Sequence, residues 1–240
     1  MLPPLPRTAL LLDLDGTLLD IAPTPDSVQV PAGLIRDLAH ICDRLDGALA
    51  VISGRPVEQV DALLDATPTT VSGEHGGALR ASLGGAIERP DLPSPPPAWI
   101  TAAEALVARH PGALLERKAR GFVAHYRLAP DAGQALHDAL AALIAPQQDR
   151  FLLLRAHMAW EIRPAGTDKG TALRAIMARP PFAGRKPVFI GDDVTDEDAI
   201  SAAIAMGGAG LRVADHFGGP ANVRAWLSAA TTSTDWPVTR

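Results

Sequence analysis

The 240-residue sequence contains one cysteine, Cys42, so no disulfide can form within the chain, and a zinc site built on cysteines is excluded with it. It has no uninterrupted apolar run of the ~20 residues that a spanning helix requires. The most apolar opening stretch, Thr8 to Ile21, is broken by Asp13, Asp15 and Asp20. Those aspartates, with the prolines at positions 3, 4 and 6, also break up the apolar region of a secretory signal. An excess of basic charge is missing too. Lys and Arg number 22 against 27 Asp and Glu, a net charge of −5, which argues against a nucleic-acid footprint. There is no internal repeat. What remains is a chain 47% apolar and 20% charged, the balance of a globular, core-forming protein. The expectation is a cytoplasmic monomer with neither a nucleic-acid nor a membrane partner.

Short apolar runs ending in Asp, Ser or Gly read as buried strands of a parallel sheet. Ala9-Leu10-Leu11-Leu12 ends at Asp13, and Ala48-Leu49-Ala50-Val51-Ile52 ends at Ser53-Gly54-Arg55. Pro187-Val188-Phe189-Ile190 ends at Gly191-Asp192-Asp193, and the weaker Thr69-Thr70-Val71-Ser72 ends at Gly73-Glu74-His75-Gly76. Helical apolar spacing over Pro31 to Leu45, Val57 to Leu64, Lys169 to Met177 and Thr195 to Ala205 alternates with these strands. The flanks of the chain therefore predict an α/β core.

The middle differs. After the stiff spacer around Pro93 to Pro97 come a helix over Trp99 to Arg109 and strands at Leu114 to Lys118 and Phe122 to Leu128, joined through Ala119-Arg120-Gly121. A helix from about Asp131 to Ile144 and strands at Phe151 to Arg155 and Met158 to Ile162 complete an αββαββ pattern. The expected organisation is a core of residues 1–92 and 163–240, interrupted by an inserted domain of residues 93–162.

Ligands of open α/β sheets bind beyond the carboxyl ends of the strands. Asp13, Asp15, Ser53, Arg55, His75, Asp192 and Asp193 all stand at such ends. Paired carboxylates where a buried strand gives way to a loop are costly unless neutralised. Two pairs invite a divalent cation, and an all-oxygen donor set favours Mg²⁺. Ser53-Gly54-Arg55, at a helix start, has the donors of a small anion cradle. Lys169 taken alone is an ordinary surface lysine; beside four acids it can offset charge and hold a phosphate. From the pattern alone Glu116, Lys118, His125, Arg127 and Glu161 read as the wet face of a sheet before they read as a binding surface. His40, His110, His137, His157 and His216 have no spaced partners, and the tail beyond Ala229 reads as frayed.

Asp13-x-Asp15-Gly16-Thr17-Leu18, Ser53-Gly54-Arg55, Lys169 and Gly191-Asp192-Asp193-x-Thr195-Asp196-Glu197 occur in this order. Together they resemble the four motifs of the haloacid-dehalogenase-like phosphatases, whose larger α/β cap is inserted between the second and third motifs. Gly73-Glu74-His75-Gly76-Gly77, Glu116-Arg117-Lys118 with His125-Tyr126-Arg127, and Met158-Ala159-Trp160-Glu161-Ile162-Arg163-Pro164 resemble segments of the trehalose-6-phosphate phosphatase family. One departure is that Gly77-Ala78-Leu79-Arg80 lacks the acid many members carry soon after the His-Gly pair.

The resemblance implies a Rossmann-like parallel-sheet core with an inserted cap, and Mg²⁺-dependent hydrolysis of trehalose 6-phosphate through an aspartyl-phosphate. It implies Asp13 as nucleophile and Asp15 as the proton donor and acceptor. The Asp13 carboxylate, the Asp15 carbonyl and Asp192 would hold the metal, supported by Asp193 and Asp196. Ser53, the Gly54 amide and Lys169 would bind phosphate. Arg55, His75, Glu116, Lys118 and Glu161 would contact the sugar. Closure of the cap, hinged near Pro93 to Pro97 and Gly166, would exclude water. The rival expectations are a phosphatase for another sugar phosphate (sucrose 6-phosphate or mannosylglycerate phosphate), a sugar phosphomutase, and a silent sugar-phosphate-binding protein.

Overall fold

The computed structural model describes residues 2–22, 27–118, 120–156 and 158–239. Ala119 of the expected turn and the isolated His157 lie outside them. In chain order the strands are β1 (Thr8–Leu12), β2 (Leu49–Ile52), β3 (Thr70–Gly73), β4 (Ala78–Arg80), β5 (Ile87–Glu88), β6 (Leu114–Lys118), β7 (Gly121–His125), β8 (Phe151–Ala156), β9 (Ala159–Pro164), β10 (Lys186–Gly191) and β11 (Ala209–Arg212). The α-helices are α1 (Leu34–Arg44), α2 (Val57–Leu64), α3 (Pro97–Val107), α4 (Gly133–Ile144), α5 (Lys169–Met177), α6 (Glu197–Ala205), α7 (Val213–His216) and α8 (Pro220–Ala230). Among the described residues no helix is long and apolar enough to cross a membrane.

The chain divides into two compact units, Met1–Pro90 with Thr167–Arg240, and Asp91–Gly166. The sequence reading divides at 92/93 and 162/163. The second unit extends further because β9 stays paired with β8 through Pro164, which lies opposite Phe151.

The first unit holds a seven-stranded sheet in the order β11-β10-β1-β2-β3-β4-β5. From β11 to β3 the strands are parallel. All five residues of β1 are buried, as an apolar strand covered on both faces requires. On α1, Leu34, Leu38 and Ile41 form the buried stripe, with Leu45 just beyond the helix. The chain runs outward from β1 through β2 to β3 on one side, and through β10 to β11 on the other. The order therefore reverses beside β1, the point at which open α/β sheets bind ligands beyond the carboxyl ends of their strands.

The sequence reading misses β4, β5, β11, α7 and α8. The antiparallel β4 and β5 are three and two residues long, too short to show alternation. β11 contains Gly210, where a Cβ would press on the Ile200 backbone; packing on α6, not strand propensity, makes it a strand.

The tail beyond Ala229 is tied down instead of frayed. Trp226 and Trp236 stack with centroids 4.8 Å apart, Trp226 Nε1 donates to the Pro237 carbonyl at 2.7 Å, and Trp236 Nε1 donates to Thr8 Oγ1 at 3.3 Å. Arg44 donates to the carbonyls of Ala230 and Ser233.

The second unit is a four-stranded antiparallel sheet in the order β6-β7-β9-β8, with α3 and α4 on one face. Trp99, Leu106, Leu136, Leu140, Phe122 and Phe151 fill the space between them. Alternation sends Glu116, Val123 and Glu161, which are level across β6, β7 and β9, to the opposite face.

Replacing Trp236 with Ala removes the stack and uncovers Trp226. The expected loss is about 1–2 kcal/mol in a urea-unfolding measurement.

Candidate active site

Leu12 is level with Ile190 on β10, and the Asp13 amide donates to the Ile190 carbonyl at 2.9 Å. Asp13 and Asp192 thus leave neighbouring strands side by side. After Asp13 the chain turns tightly: Leu18 and Leu19 donate to the Leu14 carbonyl, and Gly16 to that of Leu19. Gly16 has φ +82°, and a Cβ there would overlap the Asp192 carboxylate, so only glycine fits. Asp13, Asp192 and Asp196 each offer a carboxylate oxygen within 4.8 Å of the other two.

Asp196 is fully buried and organises the set. Its Oδ2 accepts from the backbone amides of Asp192 and Asp193, both at 3.0 Å, and its Oδ1 accepts from Lys169 Nζ at 2.6 Å. Lys169 Nζ also donates to Asp13 Oδ1 at 2.6 Å. Lys169 opens α5, a poor place for a cation by helix dipole, and two carboxylates compensate. Asp168 caps that helix by accepting from the Thr171 amide at 2.6 Å.

The charges do not balance. Three ionised carboxylates against one ammonium leave a surplus of two negative charges. Burial pushes Asp13 up to about 8; Lys169 opposes the rise, and Asp196 and Asp192 add to it. Burial pushes Asp192 up to about 6, reinforced by Asp196 and Asp193 and opposed by Asp13 and Lys169. Burial alone would lower Lys169, but Asp13 and Asp196 outweigh it and hold the ammonium above its ordinary value. Among the described residues Asp13 Oδ2 and Asp192 Oδ1 are buried without a hydrogen-bond partner. Orphaned anionic oxygens of this kind fit a hard divalent cation, which takes oxygen ligands.

The loops beyond the ends of β2 and β3 form a second group. Ser53 is buried; its hydroxyl accepts from the Arg55 amide at 3.1 Å. Arg55 Nε and Nη2 donate to Asp15 Oδ2 and Oδ1 at 2.6 and 2.8 Å. The His75 amide donates to the Ser53 carbonyl and the Glu74 amide to the Arg55 carbonyl, both at 3.0 Å. Glu74 and His75 have φ of +55° and +53°, a left-handed pair followed by Gly76 at +95°. The His75 ring lies over Gly54, where a Cβ would come within 2.5 Å of Nε2. A Cβ on Gly76 would sit 2.7 Å from the Asp168 carbonyl. The loop is thus wedged between Gly54 and the start of α5.

Asp13, Lys169, Asp192 and Asp196 come together as one cluster, and Asp15, Ser53, Gly54, Arg55 and His75 as a second linked group. Asp193 turns away: its carboxylate accepts from the Val194 amide at 2.6 Å and caps the turn before α6. Sequence reasoning misses Arg55 as the partner of Asp15 and Asp196 as the residue gripping Lys169, because both contacts link residues remote in the chain. In the second unit Lys118 Nζ donates to Glu161 Oε1 at 3.1 Å, and His125 Nε2 meets Glu116 Oε2 at 2.8 Å. The His125 hydrogen bond, aided by Lys118, holds Glu116 below its ordinary value despite partial burial.

A family model described as trehalose-phosphatase matches residues 11–208. The chain belongs to the trehalose-phosphatase family. It is 37% identical over 235 residues to a trehalose-6-phosphate phosphatase of Escherichia coli, covering 95% of this chain and 88% of that protein. It is 39% identical over 208 residues to a probable trehalose-phosphate phosphatase of Sinorhizobium fredii, covering 85% and 77%. Among solved structures, the C-terminal domain of trehalose-6-phosphate phosphatase from C. albicans superimposes with a TM-score of 0.76 at 19% identity, covering 94% of this chain and 92% of that one. The fold is the haloacid-dehalogenase-like one expected of the family, and members of the trehalose-phosphatase family are phosphoric monoester hydrolases.

The raised carboxyls give a signed expectation. A divalent cation bound at this cluster would have to displace the protons on Asp13 and Asp192, so its affinity should rise from below pH 6 to above pH 8 and then level off, in a calorimetric titration. Without the cation, the folded state keeps protons that an unfolded aspartate of pKa 3.8 loses, so the melting temperature should fall as pH rises toward 8. Added cation should reverse that fall.

Proposed function

We propose that this chain hydrolyses trehalose 6-phosphate to trehalose and inorganic phosphate, through a covalent intermediate on Asp13, in the cytoplasm. The observation that carries the mechanism is the cluster of buried Asp13, Asp196 and Lys169 with the partly exposed Asp192, in which Asp13 Oδ2 has no hydrogen-bond partner among the described residues. The substrate rests on the family and on the names of relatives matched over 88% and 77% of their own length.

In this reading Asp13 attacks phosphorus. Its O–P bond forms as the bond to the sugar oxygen breaks, and Asp15 gives that oxygen its proton. Water then attacks the aspartyl-phosphate, Asp15 takes the water's proton, and the Asp13 O–P bond breaks. Splitting one displacement in two lowers each barrier. Lys169 keeps Asp13 in place and balances charge on the phosphoryl oxygens, while Ser53 and the Gly54 amide hold those oxygens. Mg²⁺, held by Asp13, Asp192 and the Asp15 carbonyl, would supply charge neutralisation between the nucleophile and an anionic phosphate. Asp196, with its oxygens committed to Lys169 and two backbone amides, supports these ligands, and Asp193 fixes the turn that carries Asp192.

Glu116, Lys118 and Glu161 share one face of the four-stranded sheet and suit a ligand rich in hydroxyls. We assign them to sugar binding. Lys118→Ala is expected to raise KM about tenfold with little change in kcat.

Phosphate release from trehalose 6-phosphate, sucrose 6-phosphate and glucose 6-phosphate, with and without EDTA, tests the proposal. Trehalose 6-phosphate should be strongly preferred and EDTA should abolish turnover. Asp13→Asn should lower kcat at least about 1,000-fold. Equal turnover of all three sugars would overturn the substrate, and near-normal turnover by Asp13→Asn would overturn the nucleophile.

A further inference from the structure

We propose that Arg55 is the positioning residue for Asp15, aiming its carboxylate at the oxygen that leaves phosphorus, and is not a sugar contact. The inference rests on the reading of Asp15 as the proton-transfer group.

The contact is a fork. Nε and Nη2 of one planar guanidinium meet the two oxygens of one carboxylate at 2.6 and 2.8 Å. Two parallel hydrogen bonds fix the plane as well as the position of a carboxylate, which a single bond or a point charge does not. Each oxygen retains a second lone pair, so a carboxylate held this way can still meet a further partner. Asp15 keeps part of its side chain open, whereas Arg55 is the more deeply buried of the two. The partner that aims is thus fixed in the protein, and the group being aimed reaches the opening.

The Arg55 backbone is itself held on both sides of its side chain, among the described residues. Its amide donates to Ser53 Oγ, its carbonyl accepts from the Glu74 amide, and a Cβ on Gly73 would lie 2.7 Å from that carbonyl. The fork therefore ties the turn after β1 to the loop that carries the phosphate cradle. With Asp13 fixed by Lys169, and Ser53 and Asp15 both fixed through Arg55, the groups assigned to attack, phosphate binding and proton transfer are held in one frame. A guanidinium committed to a fork inside that frame is poorly placed to follow a sugar ring.

The test uses kcat and KM for the wild type, Arg55→Ala, Arg55→Lys, Asp15→Asn and the double variant Asp15→Asn/Arg55→Ala, on trehalose 6-phosphate and on 4-nitrophenyl phosphate. The nitrophenolate departs without needing a proton, but both substrates share the later hydrolysis of the aspartyl-phosphate, so they are compared in the pre-steady-state release of trehalose and of nitrophenolate. Arg55→Ala should lower kcat on the sugar phosphate about 100-fold, with KM little changed, and slow the release of nitrophenolate at least about tenfold less than that of trehalose. Arg55→Lys, which keeps the charge and loses the fork, should stay close to Arg55→Ala. The double variant should be no slower than Asp15→Asn on the sugar phosphate, because the aimed group is already gone. A raised KM for the sugar phosphate with kcat preserved, or additive losses in the double variant, would overturn the proposal while leaving Asp15 as the proton carrier. Equal losses in the release of trehalose and of nitrophenolate in Asp15→Asn would overturn Asp15 as the proton donor, and the proposal with it. Should Arg55→Ala melt far below the wild type, Arg55→Lys carries the same comparison.

Discussion

The site depends on a buried ammonium that cannot satisfy its neighbours. Lys169 meets Asp13 and Asp196 at the same distance, 2.6 Å, and its charge is one short for the pair and two short once Asp192 is included. Burying carboxylates is expensive, and the cheapest way to keep three of them ionised in one place is to bring more positive charge. The cluster is therefore incomplete by construction. Burial, with the unbalanced charge added to it, raises Asp13 and Asp192, and a dication in their place of meeting would return both to the ionised state.

Around that cluster, backbone geometry does most of the positioning. β1 and β10 are adjacent and parallel, so their last residues emerge level, and Gly16 and Gly191 let neighbouring carboxylates lie against bare backbone. Asp196 joins the loop after β10 to α5 by accepting from two loop amides and from Lys169. Phosphoryl transfer asks little covalent chemistry of a protein and much placement, and this architecture supplies placement through strand ends instead of long side chains.

Much of this was legible in the sequence because strand ends advertise themselves. An apolar run stopped by Asp-x-Asp-Gly or Gly-Asp-Asp marks both a buried strand and its functional tip, and the order of such tips resembles a known family. The αββαββ insert was legible for a similar reason, through changes of apolar period. Long-range pairing was not. Nothing local to Arg55 points to Asp15, and nothing local to Trp236 points to Trp226 or Thr8; each contact exists only after the strands are assembled. The short strands β4, β5 and β11 escaped because neighbouring strands and helices, not their own residues, make them extended.

The loop at Glu74 and His75 has a consequence of its own. Two successive side-chain-bearing residues with positive φ cost on the order of 1–3 kcal/mol each. Their neighbours Gly54 and Asp168 hold them there. A laboratory selection for thermotolerance alone would therefore favour glycine at these two positions, where a left-handed backbone carries no Cβ penalty.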